Sequence, residues 1–394
     1  METLITVERA LRLINNHVLP LNAVKVNLKE ANGLILAEDI ISSINIPAFP
    51  QSNMDGYAFT FNETTTQYTL VGEMAAGSNQ TITLAKGTAV RIFTGAAVPV
   101  GADTVLMQEK AKIESGNLII LDEKLKKGDN VRPVGSEMEK EKMALSKGTL
   151  LKPASIGFLA GIGIDKVLVY PRPKVGILVT GNELQQPGLP LSYGQVYESN
   201  SYTLSAILKE QKIEAIKLVQ ATDNLNKLST CLNGLLTDSD IVLMTGGVSV
   251  GDFDFTLKAF EQCGVQPIFH KIKQKPGKPL LFGMKEDKLV FGLPGNPASV
   301  LTCFYEYVLP AIGILSKQAN SLKQITAAIS HDFKKPIGLT HFLKAFYDGK
   351  EVVIQTGQES YKLSSYATAN CLAVLPEEYD QVKAGDLITI HLLS

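Results

Sequence analysis

The sequence predicts a multidomain α/β plus β protein: a doubly wound α/β domain, an inserted mostly-β domain, a small helical/linker domain and a C-terminal β-barrel-like domain. Three observations predict it. From Lys174 onward, apolar strands and amphipathic helices alternate at β-α-β spacing. Residues 68–125 and those after about 317 instead run as short strands separated by turn residues. Finally, 394 residues exceed one ordinary hydrophobic core. The boundaries follow as 1–45 with 141–172 for the helical/linker domain, 46–140 for the inserted domain, 173–317 for the α/β domain and 318–394 for the barrel.

Taken in order, Val7, Ala10, Leu11, Ile14 and Val18 share one face of a helix that Thr6 can cap and Pro20 closes. INIPAFP at Ile44–Pro50 is extended and leads into QSNMDGYA, where Asp55-Gly56 has the form of a hairpin turn. Tyr57, Phe59 and Phe61 then alternate as in a strand. RIFTGAAVP, Arg91–Pro99, ends a strand in a turn of small residues. Lys126–Lys147 is charged and punctuated by glycine, hence solvated. Pro153 suits the first turn of a short helix, and Pro171-Arg172-Pro173 reads as a linker. Beyond it, strands are predicted at 175–180, 215–220, 240–245, 266–272, 279–282 and 289–292, with helices at about 201–211, 225–236, 255–263 and 298–309. Alternation of this kind builds a mainly parallel sheet with right-handed crossovers, whose ligands bind beyond the carboxyl ends of the strands.

Composition narrows the function. Net charge is −1, with 45% hydrophobic and 20% charged residues, so no global basic excess points to nucleic acid. No apolar run has membrane-spanning length, and acids within the N-terminal helical pattern exclude a signal or transit peptide. Cys231, Cys263, Cys303 and Cys371 are scattered, as expected for buried thiols of a cytoplasmic protein. The histidines lack zinc-binding spacing, and no histidine stands in the candidate loops to build a nucleophilic triad.

Three strand-end loops converge on one sheet edge: TGNEL from Thr180, TGGVSVGDFD from Thr245 and GLPGNP from Gly292. Gly246, Gly247, Ser249 and Gly251 leave backbone N–H groups open to an anion ahead of a helix start. Lys271, Lys273 and Lys275 alternate on one strand face and Lys278 follows Gly277, a spacing that tracks phosphate groups. The same lysines would also serve as edge charges against aggregation. Glu183 and Asp254, at neighbouring strand ends, can hold one Mg²⁺ through oxygen, although each equally suits a turn or a helix cap. Pro294 and Pro297 stiffen the loop around Gly295-Asn296.

Together TGNEL, YESNSY, TGGVSVGDFDF, KPGKP and GLPGNPAS, with QSNMDGYA and RIFTGAAVP earlier, resemble the molybdopterin molybdenumtransferase family, which includes MoeA-type enzymes and the C-terminal domain of gephyrin. The resemblance runs over essentially the whole chain. TGGVSVG and PGNPAS mark the wider molybdopterin-binding fold, whereas NMDGYA and RIFTGAAVP separate this family from shorter relatives. It implies an elongated four-part subunit, a homodimer, and molybdopterin binding in the α/β domain. The implied reaction inserts molybdenum from molybdate into adenylylated molybdopterin with release of AMP and a requirement for Mg²⁺. It assigns catalytic roles to Asp55, Thr94, Glu183 and Asp254, with Asp55 placed across a cleft from a second subunit. Lys271, Lys275, Pro294 and Pro297 match its third-domain site, and Ser360 matches a serine of its C-terminal domain. Glu137 stands where Asp is usual, and Lys344 where Arg is common, which forgoes a bidentate fork. Two other functions share some of these loops: adenylyl transfer to molybdopterin, and a non-catalytic dimeric molybdopterin-binding scaffold. Other enzymes of molybdenum cofactor biosynthesis are implied as possible partners.

Overall fold

Strands and helices alternate as the apolar pattern requires, and the chain folds into two compact units, Met1–Val24 with Tyr170–Ser394, and Lys25–Val169. The structure is a computed structural model that describes residues 1–213, 215–247, 255–318 and 322–393. Ser249, Gly251 and Asp254 lie outside the described residues.

The larger unit is built on a seven-stranded sheet in the order Glu2–Ile5, Gln266–Ile272, Leu281–Lys285, Lys288–Leu293, Ile241–Thr245, Val175–Thr180, Ala215–Ala221. Val175–Thr180 and Ile241–Thr245 are buried along their whole length, as central parallel strands must be. The sheet is not parallel throughout: Leu281–Lys285 runs antiparallel to both of its neighbours. The reason is local, since the two residues between Lys285 and Lys288 can close a hairpin but cannot hold a crossover helix.

The first 24 residues belong to the unit built on this sheet. Glu2–Ile5 pairs in parallel with Gln266–Ile272, and Ile5, Ala10, Leu13, Ile14 and Val18 enter the main core. Thr6 caps the helix Val7–His17 as expected, accepting from the Arg9 amide at 3.2 Å. Its apolar stripe needed a partner, and periodicity alone does not name one.

The helix beginning at Pro297 continues through a π turn, Phe304–Val308, into Leu309–Leu315. Pro310 has no N–H for the Glu306 carbonyl, and the widened turn lets the Leu309 amide reach Phe304 instead. This segment is long and apolar enough to cross a membrane, yet 78% of it is buried within the protein, as in a core helix. The C-terminal strands close on themselves: Thr340–Tyr347 pairs with both Glu351–Ile354 and Cys371–Leu375, completing a five-stranded barrel with Gln324–Ile329 and Leu387–Leu392. The architecture is therefore α/β plus β, with a barrel at the C-terminal end.

The second unit carries a six-stranded sheet with Gly56–Phe59 between Thr88–Ile92 and Thr104–Met107. Asp55-Gly56 opens a strand there and is not a hairpin tip. Gly56 is needed because a Cβ would overlap the Leu106 carbonyl oxygen.

Gly246 meets a similar constraint, with φ of 90° and the Thr180 carbonyl where its Cβ would sit. Gly246→Ala is expected to cost more than about 1 kcal/mol through strain and overlap, read as a lower denaturant midpoint with unchanged slope.

Candidate active site

A cavity of about 750 Å³ opens at the carboxyl ends of the central strands, where doubly wound folds bind ligands. It is lined by Glu183 and Leu184, by Val196–Asn200, by Gln274–Pro279, by Pro294–Pro297 and by Ser360 and Tyr361, among others. The structure thus brings together eight of the predicted residues: Glu183, Lys275, Lys278, Pro294, Gly295, Asn296, Pro297 and Ser360.

Gly246 and Gly247 do not line it, but Gly246 lies directly behind Gly295. Lys271 is half-buried outside the cavity, with φ of 71° and its amide donating to the Leu280 carbonyl. The alternation along its strand is real, because Ile272 and Gln274 are buried while Lys275 is exposed. Asp55 and Thr94 belong to the other unit, where the Asp55 carboxylate accepts from both the amide (2.7 Å) and the hydroxyl (2.8 Å) of Thr94. The bond from the Thr94 amide, more than any other cause, holds the Asp55 carboxyl below the usual range. Glu137 is exposed on the same unit, its amide donating to the Ile46 carbonyl.

Each wall of the cavity is fixed by contacts made behind it. The TGNEL loop is tied down by Asp223, which accepts from the Thr180 hydroxyl at 2.5 Å and the Asn182 amide at 3.3 Å. The PGNP loop is held by the Asn200 Nδ2, which donates to the Gly295 carbonyl at 2.9 Å, and by Asn296 Nδ2, which donates to Ser360 Oγ at 2.9 Å. Behind the lysines, buried Gln274 donates through Nε2 to the Pro276 carbonyl at 3.1 Å and the Gly277 carbonyl at 3.2 Å. Its Oε1 accepts from the Tyr307 hydroxyl, which fixes which way the amide points.

Charge is distributed unevenly around the cavity. Two helices start at its wall. The one at Asn200 already has an anion, since the buried Glu198 carboxylate accepts from the Ser201 amide at 2.8 Å. The one at Pro297 has no acid in its first turn and lines the cavity together with Lys278. An anionic ligand is therefore better accommodated at the Pro297 end. Asn200 Oδ1 is buried with no partner among the described residues, an acceptor open to a ligand N–H. Among the described residues, no three of His, Cys, Asp and Glu gather as a metal cluster. Glu183 is exposed at the cavity and its carboxylate has no hydrogen bond or ion pair to a described residue. One free carboxylate fits a Mg²⁺ held mostly by water and substrate phosphates, and does not make an all-protein cage.

Asn200, Glu198, Asp223 and Gln274 were not singled out from the sequence as site residues. The YESNSY segment held the signal for two of them, but only as a motif.

Comparison with known proteins bears on the family. Residues 5–163 match the MoeA N-terminal region (domain I and II), 176–313 match the family described as "Probable molybdopterin binding domain", and 326–393 match the MoeA C-terminal region (domain IV). The chain is 39% identical to a molybdopterin molybdenumtransferase from Haemophilus influenzae over 381 residues, covering 93% of this chain and 94% of that one. This chain belongs to the molybdopterin molybdenumtransferase family. A member from Staphylococcus epidermidis is 32% identical over 99% of this chain and 96% of its own length. The crystal structure of a molybdopterin biosynthesis moeA protein from Pyrococcus horikoshii superposes with a TM-score of 0.85 at 28% identity, covering 99% of each chain. In family terms, the cavity lies within residues matched by the second and third of these regions, and Asp55 and Thr94 lie within the first.

Proposed function

We propose that this member of the molybdopterin molybdenumtransferase family inserts molybdenum from molybdate into adenylylated molybdopterin, releasing AMP, with Mg²⁺ as its cofactor. It acts in molybdenum cofactor biosynthesis, as a cytoplasmic homodimer. The observation that carries the proposal is the single cavity in which TGNEL, YESNSY, KPGKP, PGNP and Ser360 meet, in a chain related end to end to enzymes of that name.

Both reactants are anions, so binding them together requires fixed positive charge. Lys275, Lys278 and the helix start at Pro297 supply it at the cavity. The open acceptor of Asn200 suits an N–H of the pterin ring, while Asn296 and Ser360, bonded to each other beside the Gly295 carbonyl that Asn200 holds, offer further polar contacts. As the phosphoanhydride breaks, negative charge grows on the departing AMP, and ammonium groups already in place stabilise it without reorganising. Mg²⁺, when bound, adds neutralisation of phosphate charge, with Glu183 the exposed carboxylate that could hold it among the described cavity residues. Catalytic roles for Asp55, Thr94 and Asp254, and pterin contacts from Lys271, Gly246, Gly247, Ser249 and Gly251, are part of the same proposal. So are the four-part domain division and the supply of Asp55 by a second subunit.

The test is release of AMP from adenylylated molybdopterin by purified protein, followed by chromatography. Release that depends on molybdate and Mg²⁺ is expected, and its absence would overturn the proposal. Glu183→Gln is expected to lower kcat by about 10²-fold with the circular dichroism spectrum unchanged. An unaltered rate in that variant would remove Glu183 from the chemistry, whereas molybdopterin binding by the wild type without AMP release would point to a molybdopterin-holding scaffold.

A further inference from the structure

Lys344 stands where the family resemblance implies arginine, and its surroundings give it a different task from contacting a ligand. It lies on the barrel strand Thr340–Tyr347 and is 1% exposed. It does not line the cavity. Its Nζ donates to three backbone carbonyls, those of Gly357 (2.6 Å), Lys362 (3.1 Å) and Glu359 (3.3 Å). An ammonium has three protons, and three acceptors of one loop take them.

The rest of that loop is built around the same side chain. The Lys344 amide donates to Gln358 Oε1 at 3.0 Å, and Gln358 Nε2 returns to the Lys344 carbonyl at 2.8 Å. Ser365 Oγ donates to the Gly357 and Lys362 carbonyls, two of those that the ammonium holds. The Tyr366 ring sits 5.8 Å from Nζ, and its hydroxyl is 2.6 Å from the Thr302 hydroxyl on the long helix. On the outer side of the arch, Ser360 accepts from Asn296 Nδ2 and, through its carbonyl, from the Ala298 amide at 3.1 Å. Ser360 and Tyr361 are the two loop residues that reach the cavity.

No carboxylate neutralises the buried ammonium among the described residues. Glu359, the acid nearest in the loop, turns its side chain to Lys362 at 3.0 Å. A buried cation met at contact by carbonyl dipoles, with Glu359 acting on it only through space, leaves positive potential on the loop it supports.

We propose that Lys344 is a positioning residue: its carbonyl-caged ammonium holds the 357–362 arch that presents Ser360 and Tyr361 to the cavity and keeps an unneutralised positive charge behind that wall. The part concerning the anionic substrate rests on the function proposed above, whereas the part concerning the arch does not.

A guanidinium would not replace it. Arginine spreads five donors over a planar fork, and the arch offers carbonyls around a single point. The family's common residue is therefore expected to fail here as a substitute, an outcome that a direct ligand role would reverse.

The experiment compares wild type, Lys344→Met, Lys344→Arg and Ser360→Ala. Hydrogen exchange, which needs no substrate, is expected to show faster exchange of 357–366 in Lys344→Met with the barrel strands still protected. Unchanged exchange in that segment would overturn the proposal even if the enzyme reading failed. With adenylylated molybdopterin, Lys344→Met is expected to raise KM about 10-fold or more with kcat within a few-fold, and to weaken the salt dependence of KM. Its effect should be non-additive with that of Ser360→Ala. Wild-type affinity for molybdate in Lys344→Arg with loss of it in Lys344→Met would instead make Lys344 a direct oxyanion ligand and overturn the proposal. Lack of turnover by the wild type would count against the enzyme reading and leave the exchange result to decide the arch.

Discussion

His391→Leu is expected to destabilise the larger unit by about 3 kcal/mol or more at pH 7, because it leaves a buried carboxyl without its hydrogen-bond partner. His391 Nδ1 lies 2.8 and 3.0 Å from the two oxygens of Glu306, and both residues are buried. Burial is the first influence on the Glu306 carboxyl and pushes it upward, while His391 pulls it back. Without His391 that counterweight disappears and the folded state favours the protonated acid. A carboxyl raised in the folded state contributes stability at low pH and loses it as pH rises through the folded value. The deficit of the variant should therefore grow from acid toward neutral pH. Glu306→Leu with His391→Leu should recover most of the loss, because two apolar side chains leave no orphaned charge. Urea unfolding of the single and double variants checks this, and a double variant as unstable as the single one would refute it.

The second large effect concerns pH in wild type. His341, 6% exposed, is pushed down to about 4, first by burial and then by Lys335 and Lys275. In the unfolded chain a histidine titrates near 6.5. Between these values the unfolded state binds more protons, so stability falls as pH falls. For this residue the loss from pH 7 to pH 5 is about 2 kcal/mol, approaching 3 kcal/mol when the folded value is passed. His341→Gln should flatten that part of the unfolding profile. A variant with the wild-type slope would place the acid sensitivity elsewhere.

The residues that sequence patterns predicted well are those whose partners are close along the chain or simply apolar. Thr6 and the helix after it needed only local spacing, and Val175–Thr180 only an unbroken apolar run. The lysine alternation before Pro276 also survived, because it reflects which side of a strand faces solvent. What was missed depends on polar contacts between distant positions. Glu306 meets His391 85 residues later, Asn296 meets Ser360 64 later, and Tyr307 meets Gln274 33 earlier. No periodicity encodes such pairs. Lys344 is the clearest case: its type argues for a surface, and only the carbonyls of a loop more than ten residues on explain why it is buried. The loops of the cavity were legible as motifs, whereas the groups that brace them were not.

The pairing of Glu2–Ile5 with Gln266–Ile272 has a consequence for how the chain is made. At ordinary translation rates of about 5–20 residues per second, the first strand leaves the ribosome tens of seconds before its neighbour exists. Lys25–Val169, a unit with a core of its own, can complete during that interval. The 2–17 segment thus waits long to find its place, and the nascent chain must carry an unpaired strand and the apolar face of its helix until the middle of the sheet arrives.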